Sequence, residues 1–190
     1  MSSRNFIAAL PCSVAACLAT AALAQKPTAD AAIVPLFEEA CLKGGLSLAA
    51  REAAMASGGW EAIPADGLKL KPLEPNPMNG DFAKPETVRQ WKRSVGGGEV
   101  RAVLATFRTK GAYPTACVLL VPETQYSWPY WDAFGNVLKP LGVKAKETDL
   151  PHYRGYSGKL PDGRKARANI MSRSAVEPGS KKLMHLLIAF

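Results

Sequence analysis

Between residues 99 and 122 polar and apolar positions first alternate and then merge. Val100, Ala102, Leu104 and Thr106 share one face, while Arg101, Val103, Ala105 and Phe107 share the other. A period of two places successive side chains on opposite sides of a strand. Gly111 and Pro114 end that run. Residues 115–121 are nearly all apolar, which predicts a strand covered on both faces. The stretch therefore reads as two strands meeting at a turn. Residues 87–94, TVRQWKRS, predict a strand before them, anchored by Val88 and Trp91. Gly96, Gly97 and Gly98 turn it into the central pair. No Gly-Lys-Ser/Thr follows these glycines and a strand comes next, so a phosphate loop with its helix dipole is not implied. Residues 165–174 and 182–190 predict two closing strands with Pro178-Gly179 in the turn between them. The last run, KLMHLLIAF, is apolar on both faces and belongs inside a sheet.

Helical patterns are fewer. Pro35 suits a first helical turn, with Phe37, Ala40 and Cys41 on one side, Glu38 and Glu39 on the other, and Gly44-Gly45 as the stop. Ser47 is a natural cap for a second helix over residues 48–57, ended by Gly58-Gly59, with Leu48, Glu52, Met55 and Ala56 marking one side. Trp60 follows and packs back on it. Residues 63–79 are irregular and rich in proline, with an edge strand available at 67–73. Ser127-Trp128-Pro129 opens a third helix, in which Trp131, Phe134, Leu138 and Leu141 recur at helical spacing before Gly142. Residues 143–163 have few apolar anchors and predict no regular element. The expected fold is α+β: two N-terminal helices packed on an antiparallel sheet interrupted by one helix.

The first residues read as an address. Arg4 precedes an apolar, Ala-rich run, and Ala22-Leu23-Ala24 before Gln25 satisfies the small-x-small rule of a signal peptidase site. Residues 1–24 are thus expected to be a signal peptide and 25–190 a single domain, periplasmic or secreted, with no membrane span after processing. Val14-Ala15-Ala16-Cys17 also fits a lipoprotein box, which would anchor the chain through Cys17, but the chain stays apolar through Leu23. Arg4 is the only charge in the leader, so the formal net charge falls from +8 to +7 on its removal. Lys159, Arg164, Lys165, Arg167, Arg173, Lys181 and Lys182 concentrate that excess late in the chain. In an exported protein such a face suits an anionic cell-envelope component as partner, and not nucleic acid. A nucleic-acid binder requires an uncleaved leader and retention inside the cell.

Two cysteines survive processing. An even count in an oxidising compartment predicts a Cys41–Cys117 disulfide. Two separate buried thiols are the other arrangement, and no CxxC pair supports redox exchange. Tyr126, Trp128, Tyr130 and Trp131 crowd one strand-to-helix junction, where flat faces and polar tips could hold a ligand. His152, with Tyr153, Arg154 and Tyr156, forms the other polar cluster. Candidate ligand-binding residues are accordingly Tyr126, Trp128, Tyr130, His152, Tyr153 and Arg154. His185 lies among leucines and reads as a strand residue. Two distant histidines make no metal set, and no cofactor is implied. No catalytic residue is assigned. A small hydrolase or transferase using His152 or Cys117 remains the enzymatic alternative to a non-catalytic binding domain, and a disulfide would disable its thiol form.

Phe37-x-x-x-Cys41-Leu42, Gly59-Trp60 and the later single Cys117 in an apolar strand resemble, in layout, small exported proteins of Gram-negative bacteria of unassigned function. The resemblance implies an envelope location and an α+β fold, and transfers no catalytic residue.

Overall fold

The computed structural model describes residues 30–45, 47–65, 85–96, 98–107, 113–122, 124, 126–146, 152–172 and 182–190. Its strands are β1 (Glu61–Ile63), β2 (Pro85–Val95), β3 (Gly98–Phe107), β4 (Thr115–Pro122), β5 (Val143–Ala145), β6 (Tyr153–Lys159), β7 (Lys165–Ser172) and β8 (Leu183–Ala189). All eight join one sheet in the order β1-β2-β3-β4-β8-β7-β6-β5, and every pairing is antiparallel. The alternation of β3 and the apolar run of β4 meet in register, with Leu104 opposite Cys117. β8 enters between β4 and β7, where Leu186 faces Leu119 on one side and Ile170 on the other. Its continuous apolarity is thereby matched by strands on both flanks.

Three short helices accompany the sheet: α1 (Ile33–Phe37), α2 (Leu48–Ser57) and α3 (Trp131–Leu138). α1 runs directly into a π-helical turn, Glu38–Leu42. Ser47 Oγ accepts the Ala50 amide at 3.2 Å and caps α2. α3 is flanked by 3₁₀ turns at Trp128–Tyr130 and Lys139–Leu141, and Gly142 ends the second in a left-handed conformation, φ +75°.

The expected architecture of two N-terminal helices packed on an interrupted antiparallel sheet is corrected by this arrangement. The sheet is continuous and dominates the molecule. α3 does not interrupt it, because the chain leaves β4 in the middle of the sheet and re-enters at the far edge as β5. Residues 143–163 supply two strands, which Gly155, Gly158 and a mixture of charges conceal from any test of alternation. The first helix is only five residues before its register widens, and α2 rests on the π-helical turn and β1. Arg51 and Met55, not Glu52 and Ala56, are the buried positions of α2. The edge strand considered at 67–73, the turn at 178–179 and the leader lie outside the described residues.

One large cluster joins the helices to the sheet. Phe37 and Phe134 meet edge to face at 4.9 Å, and Phe134 meets Tyr156 at 5.2 Å. A second cluster on the opposite face of β3, β4 and β8 centres on Val103, Val118 and Leu187. His185 shares this face and is satisfied by Asn169, with Nε2 and Oδ1 2.8 Å apart. Cys41 of the π-helical turn is bonded to Cys117 of β4, both wholly buried. Beside it, Glu39 accepts the Trp60 indole N–H at 3.0 Å and an Arg93 N–H at 2.8 Å. Trp60 thus reaches past α2 to tie the turn to β2. Among the described residues no helix is long and apolar enough to cross a membrane.

Candidate functional site

A groove of about 510 Å³ lies between α3 and the β5–β6 edge. α3 contributes Trp131, Asp132, Gly135 and Asn136, and Lys139 follows from the next turn. These positions are spaced i, i+1, i+4, i+5 and i+8, a single stripe of a helix. Lys144 and Ala145 come from β5, and Arg154 and Tyr156 from β6. Arg154 and Tyr156 are two residues apart on one strand and so face α3 together. Lys139, Lys144 and Arg154 oppose the single carboxylate of Asp132 along this lining, leaving a surplus of cationic charge.

The walls are held firmly. The Tyr156 hydroxyl donates to the Trp131 carbonyl at 2.8 Å. Burial pushes its pKa up to about 12; the Arg154 charge pulls the other way and Asp132 adds to the rise. Gly135 allows the Tyr156 ring to approach α3, since a Cβ there would sit 3.3 Å from Cε1. The Arg154 guanidinium stands 5.6 Å from the Trp131 ring centroid, within cation–π range. The Trp131 indole N–H donates to Ser127 Oγ, so its orientation is set from behind.

That serine links the groove to His152. Ser127 Oγ donates to the His152 carbonyl at 2.6 Å, and the Ser172 amide donates to the same oxygen at 3.0 Å. His152 adopts φ +60°, a left-handed conformation uncommon for a residue with a side chain. Its ring lies 5.4 Å from the Tyr126 ring, and its Nδ1 is buried without a hydrogen-bond partner.

The six candidate binding residues thus separate. Arg154 lines the groove; His152 and Tyr126 pack against each other at the start of β6. Tyr130 is buried, its hydroxyl accepting the Asp30 amide at 3.0 Å, which is a structural use. Trp128 opens the 3₁₀ turn and is not among the lining residues. Tyr153 has the opposite strand parity from Arg154 and covers Gly155 on the other side of the sheet. Asp132, Asn136, Lys139 and Lys144 escaped sequence reasoning, whereas Tyr156 belongs to the polar cluster read around His152. The helical stripe from Trp131 to Lys139 is the signal that would have found three of the five α3-side positions' polar members, Asp132, Asn136 and Lys139; nothing local marks Lys144 as their neighbour. Cys117 carries no thiol, so it cannot pair with His152 as a nucleophile. Among the described residues no three His, Cys, Asp or Glu side chains converge to hold a metal ion.

No protein-family model, no curated protein and no solved structure matches the chain.

Proposed function

We propose that this chain is an exported, non-catalytic binding module of the bacterial envelope whose groove takes an anionic ligand, of which an acidic oligosaccharide is the best-fitting class. The observation that carries this reading is the juxtaposition of Trp131 with Lys139, Lys144 and Arg154 around one open groove. An aromatic wall suits the apolar face of a sugar ring, and the cations suit its carboxylates. The disulfide supports an oxidising compartment, and the leader pattern of residues 1–24 supports export.

The test is calorimetric titration with an oligogalacturonate, using a neutral oligosaccharide of the same length as control. Binding of the acidic ligand alone is expected, weakening as salt rises from about 20 to about 200 mM. Arg154→Gln and Lys144→Gln should each weaken it roughly fivefold to tenfold, the range of a single charge-assisted contact. Equal affinity for both oligosaccharides, or no loss in either variant, overturns the reading.

Hydrolysis with His152 as base is a second reading, favoured by its left-handed backbone and unpartnered Nδ1. Ser127 Oγ, however, donates to the His152 carbonyl and not to its ring, so it is not an activated nucleophile. Turnover of an ester or glycoside that His152→Gln abolishes would establish this alternative; turnover unaffected by that variant would remove it.

A further inference from the structure

Arg51 projects from α2 into the main core and is only 1% exposed. Its Nε donates to the Gly45 carbonyl at 3.2 Å. Its Nη1 and Nη2 are buried and have no hydrogen-bond partner. The guanidinium carbon lies 4.9 Å from the Phe190 ring centroid, and that of Arg164 lies 5.4 Å from the same ring. Arg164 is satisfied by Asp162, at 2.7 Å. Among the described residues Arg51 has no carboxylate partner. Packing does not require a charge at this position, because its neighbours on the same face of α2 are Leu48 and Met55 and an aliphatic side chain would fill the space. A buried cation without a counter-ion is costly, and the paired, coplanar N–H groups it leaves open match two oxygens of a carboxylate or phosphate.

We propose that Arg51 is the anchor of an oxyanion site beneath Gly44 and Gly45, separate from the groove at α3. A phosphate or carboxylate group accepts from Nη1 and Nη2 together, with Arg164 adding positive potential across the Phe190 ring. Entry requires Gly44 and Gly45 to move aside. They stand at φ +83° and +88°, and no atom lies within 4 Å of where a Gly45 Cβ would be. The Arg51 charge is already poorly tolerated: burial, then the Arg164 charge, lower its pKa to about 10. A bound anion offsets both effects by pairing the charge.

The experiment compares thermal unfolding of the disulfide-bonded protein in inorganic phosphate, acetate and chloride at matched ionic strength. Phosphate, acetate or both should raise Tm above chloride by about 3 °C at roughly ten times the dissociation constant. Arg51→Met should abolish this rise, and Arg154→Gln should keep it. No rise above chloride, or a rise that survives in Arg51→Met, overturns the site. So does a rise lost in Arg154→Gln, because the anion then sits in the groove. Should Arg51→Met fail to fold, the wild-type Arg51 Nε–H resonance decides: it shifts on phosphate addition if the site exists and stays in place if it does not.

Discussion

Reducing the Cys41–Cys117 bond perturbs the molecule at the point where its N-terminal segment meets the sheet. The two residues are 76 apart in sequence, and the closed loop contains α2, β1, β2 and β3. On the loop-entropy model a link of that span removes about 4.5 kcal/mol of conformational freedom from the unfolded chain at room temperature. On this model reduction acts mainly on the unfolded state. Urea unfolding of oxidised protein, and of protein unfolded and refolded in reductant, reads the difference directly. The reduced form should lose roughly 3–5 kcal/mol and about 10–15 °C in Tm. Its m-value should rise, because an unlinked chain exposes more surface on unfolding. A Cys41→Ala/Cys117→Ala double variant should fall slightly further, since it also loses the buried sulfurs. A change below about 1 kcal/mol on reduction, with m unaltered, would refute the view that the loop is held by sulfur and not by packing alone.

Two further outcomes follow from the β5–β6 edge. Burial raises the Tyr156 pKa in the folded state from its ordinary value near 10 to about 12, so its stabilisation is complete below pH 10 and is lost as pH climbs towards 12. Across that window wild-type protein should lose about 2–3 kcal/mol that Tyr156→Phe does not, while at neutral pH the variant should be weaker by about 1 kcal/mol for its missing hydrogen bond. A phenolate absorbance titration in which every tyrosine ionises near 10 contradicts this. Gly158 faces the Gly142 carbonyl so closely that a Cβ cannot be accommodated. Gly158→Ala should cost about 2 kcal/mol or more and release the amides of Lys144 and Lys146, which face β6, to rapid hydrogen exchange, with β3 and β4 still protected. Unchanged protection of those two amides would show that the contact is not constraining.

The readable parts of this protein are those whose cause is local. Val100 to Phe107 alternate, and residues 115–121 do not; strands on either side of a turn follow from that contrast alone. Ser47 and the Gly58-Gly59 pair bracket α2 to the residue, because capping acts within one helical turn. Phe190 and Leu186 announce a strand that must be covered, without saying by what. The groove was visible only in fragments: Arg154 was singled out, yet Lys144 is brought to it by a β5–β6 pairing that glycines and charges obscure. Arg51 is not marked by the sequence, because nothing in its own helix shows that Phe190 arrives from the far end of the chain.

Local pattern therefore settled the β3–β4 pair and the capping of α2. Tertiary structure alone decided that β8 slots between β4 and β7, that α3 bridges the middle of the sheet to its edge, and that two arginines share one ring. The reason is the range of the forces involved. Capping and alternation are set by neighbours a few residues away. Strand order and buried charge depend on which apolar faces, far apart in sequence, exclude water best against one another.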